Sequence, residues 1–113
     1  MVAAPGRIVC LGGQTGSLPD GSIAAATLAE QFDRAAGNVA AALAAAGGRP
    51  EHLVQLTVYT TDMRAYRASL RDLGLAYRRH LGRHYPAMAL FGVSELFDPK
   101  ALVELVGVAV IPE

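Results

Sequence analysis

The spacing of hydrophobic positions divides the chain into strand-like and helix-like segments. A β-rich run at residues 7–11 comes first, and turn-forming residues follow at 15–22. From Thr27 the apolar residues recur every three or four positions, which gathers them on one face of a helix. These residues are Leu28, Phe32, Ala35, Val39, Ala42, Leu43 and Ala46. Thr27 and Glu30 predict a capping box at the start of this helix, and the glycine pair at 47–48 predicts its end.

A strand and a second helix come next. Residues 53–59 alternate as a strand does, and their side chains are mostly β-branched, aromatic or leucine. The predicted core face of this strand consists of Val54, Leu56 and Val58. Thr61 or Asp62 can cap the second helix. Its predicted apolar stripe consists of Tyr66, Leu70, Leu73 and Tyr77. The basic residues at 78–84 fit a solvated helix C-terminus better than an anion site.

Two further strands are predicted, at residues 86–93 and 101–111, separated by a turn at 98–99. We expect these two strands to pair antiparallel. The whole pattern predicts one α+β domain over residues 1–113, with a single sheet and two helices on one of its faces. In the last strand both alternating sets of side chains are apolar except for Glu104, so neither face of the sheet can remain in water.

Composition narrows the classes of function. Ten basic and ten acidic residues give a formal charge of zero, which disfavours binding to nucleic acid or to an anionic membrane. No apolar run is long enough to span a membrane, and no leader is evident, so we expect a cytoplasmic protein. The hydrophobic fraction is 52% and the charged fraction 18%, which favours a buried interface between subunits.

The sequence offers little support for a metal, a cofactor or a reactive thiol. Cys10 is the sole cysteine, so an internal disulfide is excluded, and its apolar neighbours predict a core thiol rather than a nucleophile. His80 and His84 lie four residues apart without a nearby third ligand, so no metal site is predicted. The pair Gly12-Gly13 lacks the spacing of a phosphate-binding loop, so no cofactor is predicted.

Five stretches cover almost the whole chain and carry a family resemblance. They are IVCLGGQTG (8–16), LAEQFDRAAGNVAAALAAAGG (28–48), HLVQLTVYTTDMRAY (52–66), HYPAMAL (84–90) and ALVELVGVAV (101–110). In these the chain resembles the Rid family of reactive-intermediate deaminases, also called RidA or YjgF. The resemblance implies a chorismate-mutase-like subunit and a homotrimer with a central β-barrel. It also implies that small ligands bind in clefts between subunits, and that active members hydrolyse enamines and imines.

The chain departs from the family at positions that bind substrate. The resemblance implies an arginine two residues after the proline of a PAR motif, where it would clamp a substrate carboxylate; this chain has Met88 there. Gly12 stands where the family has a serine, and an asparagine of the family aligns near Leu70. We expect most of the family's N-terminal strand, with its pocket aromatic, to be missing from this sequence, because residues 1–6 are too few to form it.

Glu104 matches the family's glutamate that positions or activates the hydrolytic water. A carboxylate between Val103 and Leu105 in a buried strand is expected to have a raised pKa, as a general acid or base needs near neutral pH. A structural glutamate that binds backbone amides or a neighbouring subunit is an equal alternative. Met88 and Phe91 are candidates to line a pocket for a less polar ligand, with Tyr85 at its rim.

Two functions therefore remain open. One is hydrolysis of an enamine or imine whose carboxylate is absent or held differently, with Glu104 directing water. The other is a non-catalytic trimer that binds a small, mostly apolar molecule or serves as an accessory protein in a biosynthetic pathway. Met88 in place of an arginine supports the second. The neutral net charge and the lack of a paired His or Lys constellation argue against a ribonuclease.

Overall fold

The chain folds into a four-stranded sheet with helices on one face. The computed structural model describes residues 1–113. The strands are β1 (Arg7–Gln14), β2 (Leu53–Thr60), β3 (Ala87–Gly92) and β4 (Val103–Ile111). The helices are α1 (Leu28–Ala45), α2 (Met63–Ala68) and α3 (Leu70–Leu81), with a 3₁₀ turn at Pro50–His52. The predicted α+β class is confirmed. No helix has the length and apolar content that a membrane crossing requires.

The strands lie in the order β1-β4-β2-β3. β4 is antiparallel to both of its neighbours, and β3 runs parallel to β2 at one edge. The expected antiparallel pairing of the last two strands is therefore wrong. α2 and α3 form the crossover that a parallel β2–β3 pair requires, and β4, which is apolar on both faces, takes an interior position.

The helix ends follow the sequence signals. Thr27 Oγ1 accepts a hydrogen bond from the Glu30 amide at 3.2 Å, and Gly47 adopts a positive φ of 84° just after α1. Asp62 caps α2, because its carboxylate accepts a hydrogen bond from the Ala65 amide at 2.9 Å. The single second helix that the sequence predicts is interrupted at Ser69, where ψ is 14°, so three helices rather than two cover the sheet.

The main core lies between α1, α3 and one face of the sheet, which we call the covered face. β4 alternates as predicted: its covered-face residues are buried, whereas those on the other face are partly exposed. On β4 the covered face consists of Val103, Leu105, Gly107, Ala109 and Ile111. The opposite face, which no helix covers, is called the open face; its β4 residues are Glu104, Val106, Val108 and Val110.

An irregularity in β2 changes the predicted core set. The register against β4 shifts between Leu53 and Gln55, so one extra residue is accommodated at Val54. Leu53 is consequently buried together with Leu56, whereas Val54 is half-buried. The prediction of Val54 as a core residue is wrong, because a bulge breaks the strict two-residue alternation.

Apolar side chains remain exposed on the open face. Ile8 is 71% exposed and pairs with Val110, and Cys10 is exposed opposite Val108. The prediction of Cys10 as a core thiol is wrong for the single chain. Leu11 is the β1 residue that enters the core, and alternation then turns Cys10 to the other face.

Candidate functional site

Glu104 belongs to a row of side chains that crosses the open face. It lies opposite Tyr59 of β2, and Tyr59 in turn lies opposite Phe91 of β3. Directly opposite residues in a sheet project from the same face, so all three side chains lie together. The Tyr59 and Phe91 rings are stacked with centroids 6.0 Å apart. Glu104 thus has an aromatic surface on one side.

The other side of Glu104 is formed by the glycine pair of β1. The pairing of β1 with β4 is irregular between Leu11 and Gln14, where the two glycines lie. A Cβ added at Gly13 would overlap the Glu104 carboxylate, whereas one added at Gly12 would meet no atom within 4 Å. The absence of a side chain at Gly13 is therefore what leaves room for the carboxylate.

We call Glu104, Gly13, Tyr59 and Phe91 the open-face cluster. The Glu104 side chain forms no hydrogen bond or ion pair within the chain, and the residue is half-buried. A carboxylate with free lone pairs beside an apolar wall can accept a proton from water or orient it. The sequence named Glu104 and Phe91 as candidates, whereas Gly13 and Tyr59 were missed. The candidate Gly12 is next to Gly13 in β1 but outside the cluster, because a Cβ added there would meet no atom within 4 Å. The two glycines inside an apolar strand were the available signal for a bulge.

Met88 and Tyr85 lie elsewhere, in a pocket of about 260 Å³ at the β3 edge. We call it the edge pocket; it is lined by Phe32, Tyr66, Leu70, Leu73, Gly74, Tyr77, Tyr85 and Met88. Met88 is opposite Leu56 in the β2–β3 pair and so projects from the covered face. Two pairs of rings form the walls: Phe32 meets Tyr66 edge to face, and Tyr77 stacks on Tyr85 at 5.1 Å.

The edge pocket has an uncharged lining. Tyr77 is buried and its hydroxyl donates a hydrogen bond to the His84 carbonyl at 2.6 Å. Burial raises the pKa of Tyr77 to about 12, with a smaller contribution from the nearby Tyr85. Burial also raises the pKa of Tyr66. Both phenols therefore stay neutral at physiological pH and cannot supply charge to a ligand.

The predicted site residues fall into two groups on opposite faces of the sheet. Glu104 and Phe91 lie on the open face, whereas Met88 lies on the covered face. Met88 and Phe91 are three residues apart in one strand, and alternation separates residues at odd spacing. The single chain brings Glu104 close to Phe91 and Gly13, and brings Met88 close to Tyr85, but it does not join the two groups.

A second cavity, of about 400 Å³, lies between α1 and α3. Asp33 of α1 forms an ion pair with Arg79 and contacts His80 Nε2 at 2.8 Å, so part of the predicted basic helix end is bound rather than solvated. Gly37 gives the His80 ring room, because an added Cβ would lie 3.2 Å from Cε1. These contacts connect the two helices across the cavity.

Comparison with known proteins gives the family. The family model described as Endoribonuclease L-PSP matches residues 1–111. The chain belongs to this family. Solved members of similar structure carry the names Rid, RidA and YjgF, so the predicted Rid resemblance is confirmed. No curated protein matches the sequence significantly.

Three solved Rid-family structures illustrate the similarity. RidA from a Psychrobacter species is 26% identical with a TM-score of 0.79, over 96% of this chain and 85% of that one. A YjgF-family protein from Mycobacterium tuberculosis is 25% identical with a TM-score of 0.74, over 96% and 82%. A Rid-family protein of Yersinia pestis, at 24% identity and a TM-score of 0.83 over 94% and 80%, supports the fold. The chorismate-mutase-like subunit expected from the sequence is therefore present.

Proposed function

We propose that this Rid-family chain hydrolyses the C=N bond of a reactive imine, formed directly or by tautomerisation of an enamine. Glu104 is the group that positions or activates the attacking water. The observation that carries the proposal is the free carboxylate of Glu104, half-buried between Gly13 and the stacked Tyr59 and Phe91 rings. A structural glutamate that binds backbone amides of its own chain would have hydrogen-bond partners there, and this one has none.

The proposed reaction needs one water and no cofactor or metal. Glu104 accepts a proton as the water oxygen attacks the imine carbon, and the C=N π electrons move to nitrogen. Glu104 returns this proton to the nitrogen to give a neutral carbinolamine, and then transfers the proton of the carbinolamine hydroxyl to the same nitrogen. The C–N bond breaks as ammonia leaves with its electron pair, and the C–O bond becomes the carbonyl of the product. An aromatic wall beside the carboxylate limits access of bulk water, which strengthens its interaction with the reacting atoms.

A homotrimer is the assembly we propose, as the family resemblance implies. The exposed apolar side chains of the open face support it, because a monomer rarely leaves such a surface in water. Packing of open faces would further desolvate Glu104. In clefts between subunits, the edge pocket of one copy could lie next to the open-face cluster of the neighbouring copy.

The assembly is tested by placing a charge on the open face. Val108→Asp puts a carboxylate opposite Cys10, and we expect it to dissociate a trimer into monomers. Ala41→Asp is the matched control, because Ala41 is exposed on α1. Multi-angle light scattering at micromolar concentration reports the mass. A monomeric wild-type protein would overturn the proposed assembly.

The preferred substrate lacks a carboxylate clamped at position 88. Met88 cannot form the bidentate ion pair that the family's arginine forms, and the tyrosines near it are neutral. Loss of such a pair costs on the order of 2–4 kcal/mol. We therefore expect roughly thirtyfold to thousandfold lower activity toward 2-iminopropionate than an arginine-bearing relative has.

A coupled assay tests the chemistry. Hydrolysis of 2-iminopropionate and of a carboxylate-free aryl ketimine is followed by ammonia release, with Glu104→Gln and Glu104→Ala as variants. We expect turnover of the ketimine to fall at least a hundredfold in both variants, and Met88→Arg to raise activity on 2-iminopropionate. Turnover that is the same in Glu104→Gln and in the wild-type protein would overturn the role of Glu104.

A non-catalytic trimer that binds a small apolar molecule is the second candidate. The uncharged lining of the edge pocket favours it. Binding of a small apolar molecule without turnover, in both the wild-type protein and Met88→Arg, would favour this non-catalytic function. Although the matching family model is described as an endoribonuclease, the chain has zero formal charge, and we expect no cleavage of RNA.

A further inference from the structure

A guanidinium lies beside Gly74, one of the residues that line the edge pocket, although position 88 carries no arginine. Gly74 of α3 lines the pocket, and Arg78 follows it one helical turn later. Helical side chains lean toward the N-terminus of their helix, so Arg78 covers the surface above Gly74. Its Nη1 lies 3.4 Å from the place where a Cβ of Gly74 would be. Because Gly74 has no side chain, the guanidinium can lie close to the helix backbone at this position.

Arg78 is free to bind a ligand. Its neighbour Arg79 is already paired with Asp33 of α1, whereas the side chain of Arg78 is exposed and forms no ion pair or hydrogen bond within the chain. A guanidinium remains charged at every physiological pH and presents paired N–H groups that match a carboxylate. Arg78 can therefore supply a fixed positive charge beside Gly74, at the lining of the edge pocket.

The size of the edge pocket sets the class of group that can enter. A cavity of about 150 Å³ is enough to hold a benzene ring, and the edge pocket has about 260 Å³. Its walls are the rings of Phe32, Tyr66 and Tyr77 together with aliphatic side chains. A phenyl or a branched alkyl group therefore fits the interior, and a charged group does not.

We infer that the edge pocket binds amphipathic carboxylates, with the apolar group against Met88 and the carboxylate on Arg78. This inference rests on the proposed function and names its substrate class: imines that carry a bulky apolar substituent and a carboxylate some bonds away from it. The positively charged group that binds the carboxylate is therefore on helix α3, whereas the arginine of the family would be on strand β3. Small ligands such as 2-iminopropionate, which lack an apolar group, gain little from this arrangement.

Binding of two matched probes tests the inference. 3-Phenylpropionate and 3-phenylpropan-1-ol share the same apolar group and differ in the carboxylate. The Met88 methyl resonance, read by NMR in the full chain, reports occupancy of the edge pocket. In the wild-type protein we expect the carboxylate to bind about three- to tenfold more tightly than the alcohol, as suits a partly exposed charge-assisted contact.

Substitution of the arginine distinguishes its charge from other effects. Arg78→Gln is expected to abolish the preference while leaving alcohol binding unchanged, and Arg78→Lys to retain part of it. Arg34→Gln is the matched control, because Arg34 is an exposed arginine of α1 that lines a different cavity. We expect this control to keep the full preference.

The outcomes separate this inference from the proposed function. Equal binding of both probes to the wild-type protein, or an unchanged preference in Arg78→Gln, would overturn the role of Arg78 and leave the Glu104 chemistry intact. A Met88 resonance unmoved by either probe would overturn the edge pocket as a ligand site. Turnover that is unchanged in Glu104→Gln, with the probe preference retained, would instead overturn the proposed reaction alone.

Discussion

The two faces of the sheet differ far more in structure than in sequence. β4 supplies apolar side chains to both, yet α1 and α3 bury Leu105 completely while Val106 stays half-exposed. The covered-face side chains of β4 are buried by other parts of the same chain. The open face carries the free carboxylate of Glu104 and exposed apolar residues such as Ile8, so it is the face that remains available for contacts outside the chain. Equal hydrophobicity therefore does not mean equal roles.

The largest expected difference between the faces is in stability. Leu105→Ala removes a side chain with 0% exposure, and we expect it to lower the free energy of unfolding by about 3 kcal/mol. Val106→Ala, its neighbour on the open face, should cost less. Chemical denaturation at several protein concentrations checks this pair. The cost of Leu105→Ala should be constant, whereas that of Val106→Ala should grow with concentration if copies assemble through the open face.

Substitutions at two adjacent glycines test the role that we propose for Glu104 on the open face. Gly13→Ala forces the Glu104 carboxylate to move, whereas Gly12→Ala meets open space. We expect Gly13→Ala to lower imine turnover on the order of tenfold to a hundredfold, since small displacements of a reacting group are costly. Thermal melts should show both variants folded. Equal activities of the two variants would contradict the placement of Glu104 at the reaction centre.

On the helix side, the alkaline stability limit depends on Tyr77. Its pKa is raised from 10.0 to about 12, so the folded state holds the phenolic proton more tightly than the unfolded state does. This stabilisation is complete below pH 10 and is lost as pH rises toward 12. Tyr77→Phe should make the decline in stability shallower over that range. It should also cost about 1 kcal/mol at neutral pH through loss of the hydrogen bond to His84.

Urea denaturation between neutral pH and pH 11 measures both effects of Tyr77→Phe. An alkaline decline that is identical in the variant and the wild-type protein would contradict the assignment to this phenol.

The smallest expected effect is at Gly74, and its sign is favourable. Alanine forms helix better than glycine, so Gly74→Ala should stabilise the protein by about 0.5–1 kcal/mol. Its Cβ would lie 3.4 Å from Nη1 of Arg78, which is within tolerated contact. Differential scanning calorimetry should therefore show a rise in Tm of a few degrees. A fall in Tm would show that the backbone at Gly74 or the position of Arg78 is more constrained than this geometry indicates.

Local signals in the sequence predicted much of the fold. The Thr27 cap and the glycine end of α1 are where the sequence placed them, and the alternation of β4 is correct. Each depends on residues within a turn or a strand of one another. The break at Ser69 was missed, because the apolar stripe of the second helix continues across it.

The order of the strands and the bulge at Val54 were not predictable in this way. Both depend on which strands lie next to one another, and residues far apart in the chain decide that. The exposure of Cys10 was missed for the same reason, since the apolar residues around it fit either face of the sheet.

The sequence by itself determined most of the elements and the family, and it proposed Glu104 as the residue that carries chemistry, because these inferences depend on side-chain type and short-range spacing. The tertiary structure decided that Glu104 lies against Gly13 and Tyr59, and that Met88 and Gly74 line one pocket on the other face. Alternation fixes which residues of a strand share a face. Which face the helices cover is settled by the packing of distant segments, and that packing separates the carboxylate from the pocket within one chain.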